Sequence, residues 1–129
     1  MAEHRHHTEL IAGLSGRLAG VLEGSEQGVY IYLDDVHKAC NERFARLLGY
    51  ATPEAWAAEP GPFLEAFVDR ASHETLARAY ADAMDHIVAS TIAVTWTLSN
   101  GQPLATDVVL VPITHDGHLF ALHFVSPRA

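Results

Sequence analysis

Histidines hold the widest chemical repertoire in this chain, nine of them in 129 residues. Three, His115, His118 and His123, crowd the C-terminal end and suggest a metal site. Strand parity argues against it. In an extended strand His118 shares a face with Phe120, Leu122 and Phe124, while His123 projects the other way with Ala121 and Val125. Ligands on two faces do not converge, so His123 reads as a polar group in a covered surface, able to respond to pH. If Met1 is removed, Ala2-Glu3-His4 offers a free amine followed by an imidazole, a square-planar nitrogen set for Cu(II) or Ni(II). That terminus lacks the outer-shell support of evolved sites. Paired acids at Asp34-Asp35 and Asp82/Asp85 read as turn and helix-surface residues. No segment holds a serine–histidine–acid set, a phosphate-binding glycine loop or a zinc-type cysteine spacing, so the motifs give no support to an enzyme.

Two more histidines lie on one amphipathic helix, residues 73–88, whose apolar stripe contains Leu76, Ala77, Tyr80, Ala83, Met84 and Ile87. At about 100° per residue, His73 falls within about 20° of the stripe's centre and His86 about 120° away. His86, among Arg78, Asp82 and Asp85, is a solvated residue. His73 aims an imidazole at the interior. The plainer alternative is a half-buried side chain bonded to a backbone carbonyl near the helix start.

The elements that position these groups follow from pattern. Three strand-like runs, 91–98, 104–113 and 119–125, are separated by Asn100-Gly101 and Asp116-Gly117. Those dipeptides supply the positive φ angles of two-residue hairpins, so the block predicts an antiparallel meander. Residues 28–33 and 36–40 form a hairpin through Asp34-Asp35. Asn41 caps a helix over 42–48 that stops at Gly49. Thr52-Pro53-Glu54 starts another, Pro60-Gly61-Pro62 ends it, 63–68 makes a further turn, and Ser72 caps the long helix.

Upstream, residues 1–7 read as a flexible terminus and 8–23 as a helix capped by Thr8, with Leu10, Ile11, Leu14, Leu18, Val21 and Leu22 on one stripe. Gly13, Gly16 and Gly20 weaken it, each by up to about 1 kcal/mol relative to alanine. It therefore needs a docking surface, either the domain's own sheet or a second copy through Leu10, Leu14, Leu18 and Val21. The two last strands are apolar on both faces, and such a sheet must be covered on both sides.

At this length the chain is one domain, spanning residues 24–126. A net charge of −8 without basic clusters disfavours nucleic acid. No apolar run approaches the roughly 18 residues of a membrane helix, and the N-terminus has no secretory apolar core, which predicts a cytoplasmic protein. A lone cysteine, Cys40, allows no internal disulfide.

The order helix, hairpin, small helices, long helix, meander resembles a PAS domain. Gly28-Val-Tyr-Ile-Tyr-Leu-Asp-Asp35 resembles its first strand and acidic turn. Cys40-Asn41-Glu42-Arg43-Phe44, Leu47-Leu48-Gly49-Tyr50 and Thr52-Pro53-Glu54 resemble the family's segment after the hairpin. The similarity covers about residues 20–125. It implies an α+β fold: a five-stranded antiparallel sheet with short helices and one long helix on one face, plus the N-terminal helix. The family's last-strand "D-I-T" ending is absent, and no effector domain follows, so a signal would pass through a partner protein or self-association unless the chain is a fragment.

By that resemblance the chain is a sensory module, homodimeric through its N-terminal helix. Its pocket would hold a small apolar or planar ligand among Phe44, Leu48, Trp56, Phe63, Phe67, His73, Leu76, Tyr80, Met84 and Trp96. Oxygen-sensing relatives carry a haem-ligating histidine on the long helix, which makes His73 the candidate axial ligand. Light-sensing relatives form a flavin adduct from a mid-domain cysteine, but Cys40 stands at a strand end, the wrong place. A cone-shaped isomerase or dehydratase of the nuclear-transport-factor-2-like type fits the length, yet such folds place long helices first, and Asp107 has no evident basic partner.

Overall fold

Strands that are apolar on both sides force a layered arrangement. In the computed structural model, which describes residues 2–128 with side chains from Arg5 onward, a single sheet lies between two unequal apolar layers. The elements run α1 (Ala2–Arg17), α2 (Ala19–Gly24), β1 (Gly28–Tyr32), β2 (Lys38–Cys40), α3 (Glu42–Leu47), α4 (Pro53–Ala57) and α5 (Phe63–Phe67). A 3-10 turn (Arg70–Ser72), α6 (His73–His86), β3 (Ser90–Thr97), β4 (Pro103–His115) and β5 (His118–Pro127) follow. All strand pairs are antiparallel, in the order β2-β1-β5-β4-β3. The first strand thus pairs with the last, setting Tyr30 opposite His123.

On one face, Tyr30, Val94, Trp96, Val108, Leu110, Ala121 and Val125 pack against Phe44, Leu48, Trp56, Phe67 and Leu76 from the helices between β2 and β3. Trp96 is fully buried, and its indole N–H donates to Thr106 Oγ1 (2.8 Å), which itself donates to the Val94 carbonyl (2.8 Å). The opposite face, Val29, Ile31, Phe120 and Leu122, is covered by Leu10 and Leu14 of α1. Gly13 permits this approach, because a Cβ there would sit 3.0 Å from the His115 ring. Arg17 then anchors the helix by donating to His115 Nδ1 (2.9 Å).

One side chain joins the layers. Asn41 Oδ1 accepts from the backbone N–H groups of Val29 (3.0 Å) and Phe44 (2.9 Å). Its Nδ2 donates to the carbonyls of Leu22 (3.0 Å) and Gln27 (3.0 Å). The expected α3 cap is present, and the same residue also holds the end of α2 and the start of β1. Gly49 ends the helix at φ +91°, where a Cβ would collide with Ser99.

Several expectations need correction. The helical N-terminus begins at Ala2, not Thr8, so residues up to His7 belong to α1 and not to a flexible arm; the side chains of Ala2-Glu3-His4 lie outside those described. Leu10 and Leu14 are buried against the chain's own sheet and Leu18 packs partly there, leaving Val21 as the exposed member of the proposed dimer stripe. Ser72 does not cap α6; its Oγ accepts from the Thr95 N–H (2.9 Å) instead. The buried stripe of α6 is Leu76, Ala79 and Ala83, while Ala77 is exposed and Ile87 has left the helix in a left-handed conformation (φ 54°). Asp116-Gly117 forms the expected two-residue turn with both φ angles positive. At Asn100-Gly101 only the glycine is positive, and the Leu98 N–H donates to Gln102 (2.8 Å), so three residues make that loop.

Two stability outcomes follow. Asn41→Ala orphans two buried N–H groups and two carbonyls and should cost about 3 kcal/mol in denaturant unfolding; a loss below about 1 kcal/mol would contradict this keystone role. Ile87→Gly relieves a β-branched residue from left-handed backbone and should stabilise by about 1 kcal/mol, measured the same way.

Candidate functional site

The sheet–helix layer is not filled everywhere. Between β1, β5, α5 and α6 lies a cavity of about 330 Å³ lined by Tyr30, Tyr32, Asp35, Phe63, His73, Leu76, Tyr80 and His123, among others. Its size is at the low end of the roughly 300–1,000 Å³ typical of ligand sites. A wider groove of about 840 Å³ beside α2 and α3 has a wall of Glu23, Glu42, Arg43 and Arg46 and an even mix of polar and apolar surface. We take the smaller space as the site because two of its lining residues, Tyr30 and His123, each carry a buried polar atom without a partner, whereas the groove has one such residue, Ser15.

Tyr30 and His123 are cross-strand neighbours whose rings stack 3.9 Å apart at 7°. The Tyr30 hydroxyl and His123 Nδ1 are both buried without a hydrogen-bond partner. An orphaned buried polar atom costs about 1–3 kcal/mol, so this pair, on two residues lining one cavity, lowers stability. Burial drives the His123 pKa down to about 3, with backbone groups of Tyr30 and Ala121 offsetting part of the effect. The imidazole is neutral at physiological pH and offers one donor and one acceptor.

The rim is polar and tightly held. The Tyr32 hydroxyl donates to Asp35 Oδ1 (2.7 Å), which also accepts from the Phe63 N–H (3.1 Å). Lys38, only 4% exposed, gives its ammonium to the carbonyls of Asp35 (2.9 Å), Ala57 (3.1 Å) and Glu59 (3.4 Å) and lies over the rings of Trp56 and Phe67. Burial lowers its pKa against the opposing pull of Asp35, Asp34 and Glu59. The lysine fixes the hairpin turn against α4, so Asp35 is a stationary part of the cavity wall.

Of the residues expected to line a pocket, Phe63, His73, Leu76 and Tyr80 do so. Phe44, Leu48, Trp56, Phe67 and Trp96 are completely buried and fill the layer as a cluster of edge-to-face rings, and Met84 packs partly against it. Tyr30, Tyr32, Asp35 and His123 complete the wall instead. Strand parity had put His123 on the face of Ala121 and Val125, which is this interior face. Its meeting with Tyr30 needs the pairing of β1 with β5, for which no local pattern exists.

No family model and no curated protein matches the chain. Solved structures do. A PAS domain of a two-component sensor histidine kinase is 13% identical over 91% of this chain and 99% of that one, with a TM-score of 0.65. The PAS domain of an HTR-like protein from Haloarcula marismortui is 17% identical over 96% and 99%, with a TM-score of 0.65. A PAS domain from Colwellia psychrerythraea is 14% identical over 89% and 97%, with a TM-score of 0.69. The chain has the PAS fold. The expected α+β class and five-stranded antiparallel sheet are both present.

Within that fold the cofactor alternatives fit poorly. The His73 Nε2 is bonded to the Val68 carbonyl (2.7 Å), the plainer of the two readings of this residue. Cys40 is buried on β2 outside the cavity, and burial, reinforced by Glu54, pushes its thiol up to about 12, far from a reactive thiolate. The strand order gives the cone-shaped isomerase no support. Among the described residues no helix is long and apolar enough to cross a membrane.

The buried imidazole sets a pH dependence. Unfolded, His123 takes a proton near pH 6.5; folded, only near pH 3. Its contribution is therefore constant above about pH 7, and stability falls as pH drops from 6.5, by up to about 1.4 kcal/mol per unit. His123→Phe keeps the stack and removes the titration. Between pH 7.5 and 5 the parent should lose about 2 kcal/mol more than the variant in denaturant unfolding; equal losses would contradict a neutral buried imidazole.

Proposed function

We propose that this chain is a PAS sensory module that recognises a small, flat, largely apolar molecule carrying a donor and an acceptor on one edge. The observation that carries the reading is the pair of partnerless buried atoms, Tyr30 Oη and His123 Nδ1, on residues lining one cavity. Aromatic walls from Phe63 and Tyr80 suit a planar guest, and its polar edge would satisfy the Tyr30–His123 floor.

The transmission route is short. Asp35 belongs to the cavity wall, and its chain neighbour Asp34 is bonded to His7 of α1 (2.8 Å). A guest that takes the Tyr32 hydroxyl away from Asp35 alters the bonding of the turn that holds the N-terminal helix. The output would be a change in α1 docking, read by a partner protein or a second copy; pairing through this helix would use its outer side.

Native mass spectrometry of the gently purified protein, with a panel of indoles, quinolines and purines, tests the reading. One guest per chain should be retained. Tyr30→Phe should weaken it about tenfold, and Ala77→Trp, which fills the cavity from an exposed helix position, should abolish it. A chain that binds no member of the panel and carries no extra mass, or a guest held equally by Ala77→Trp, would reject the cavity as the sensory site.

A further inference from the structure

Outside the cavity, on the far side of the β1–β2 turn, the Asp34–His7 contact belongs to a larger group of ligating side chains. His7, Asp34 and His37 each present a ligand atom within 4.8 Å of the other two. They come from distant parts of the sequence, His7 from α1 and the other two from the turn 27 residues later. Asp34 Oδ2 lies 2.8 Å from His7 Nδ1, and Asp34 Oδ1 lies 2.8 Å from His37 Nδ1. The carboxylate is oriented before any cation arrives, because its Oδ1 accepts from the backbone N–H groups of Val36 (3.0 Å) and His37 (2.7 Å). The two imidazoles meet edge-on at 5.3 Å and 89°. His37 is buried, while His7 and Asp34 are half-buried, so one side of the group is protein and the other opens to water.

We propose that His7, Asp34 and His37 form a binding site for a divalent transition metal ion of the zinc type, clamping the N-terminal helix to the β1–β2 turn. Two imidazole nitrogens and one carboxylate oxygen are the donor set of zinc and its neighbours; calcium and magnesium prefer oxygen alone. Bonds of about 2.0–2.2 Å from a tetrahedral ion set ligand atoms about 3.3–3.6 Å apart. The two Asp34–histidine separations of 2.8 Å would open by roughly half an ångström, the two imidazole nitrogens already lie within 4.8 Å of each other, and water would take the fourth position. The backbone donors to Asp34 would supply the outer-shell support that such sites require. Since Asp35 follows Asp34 directly, the ion would stiffen the same turn that borders the cavity, without needing a guest there.

Calorimetric titration of the chelator-treated full chain with Zn2+, and absorption spectroscopy with Co2+, test the site. One saturable equivalent of Zn2+ should bind, Co2+ should show the visible bands of a low-symmetry site, and the ion should raise Tm. His7→Ala, which leaves the turn intact, and His37→Ala should each weaken binding by at least about 100-fold and remove the Tm shift, whereas His86→Ala on exposed α6 should change neither. Absence of a saturable equivalent would overturn the proposal and leave a hydrogen-bonded strap. Undiminished binding in both His7→Ala and His37→Ala would overturn it by placing the metal elsewhere, for instance at Ala2-Glu3-His4.

Discussion

The arrangement depends on the four hydrogen bonds of Asn41. A side-chain amide has one oxygen and two N–H groups, and here the oxygen accepts twice while the nitrogen donates twice. The groups it satisfies belong to the end of α2, the approach to β1, β1 itself and the first turn of α3. Those are the points where the chain passes from one face of the sheet to the other. A serine or aspartate would serve as a cap but could not also donate to Leu22 and Gln27. With this junction fixed, α1 must lie across the back of β1 and β5, and the small helices must cover the front.

The cavity is a consequence of that layering. Large rings fill the front layer around Trp96 and Trp56, and Tyr30, itself in contact with both, carries the layer to His123 at the cavity, where β1 and β5 hold polar rings in place of aliphatic residues. Two flat polar rings stacked across a strand pair keep the backbone ladder intact while leaving two polar atoms without partners. Such atoms lower stability, and under the proposed function a guest in the adjoining cavity would offset that cost. Asp34 and Asp35 then separate two tasks on adjacent residues, with one side chain at the cavity wall and the other facing the N-terminal helix.

Local patterns carried much of this into the sequence. Asn41 as a cap, Gly49 as a helix stop and Asp116-Gly117 as a hairpin turn are decided by neighbours within a few residues, and each is found in the structure. The inward face of His123 followed from strand parity. What remained hidden depends on distant pairing: Tyr30 against His123, Arg17 against His115, His7 against Asp34. The polar N-terminal text masked the start of α1, since a helix whose buried side chains begin at Leu10 shows no stripe before that point. Lys38 was equally hidden, because three carbonyls from separate segments stabilise it and no local spacing encodes them. The pocket expectation took in too many rings for a related reason: aromatic content identifies the front layer but not which rings leave space.

The central claim is that the Tyr30–His123 pair is a binding floor whose open valences a guest completes. Its most direct test is the 15N chemical shift of His123 Nδ1, recorded by NMR with and without a saturating bicyclic heteroaromatic. The imidazole should be neutral in both states, with a marked Nδ1 shift on loading as a hydrogen bond forms where none existed. A guest that binds at saturation and leaves that nitrogen unchanged would contradict it.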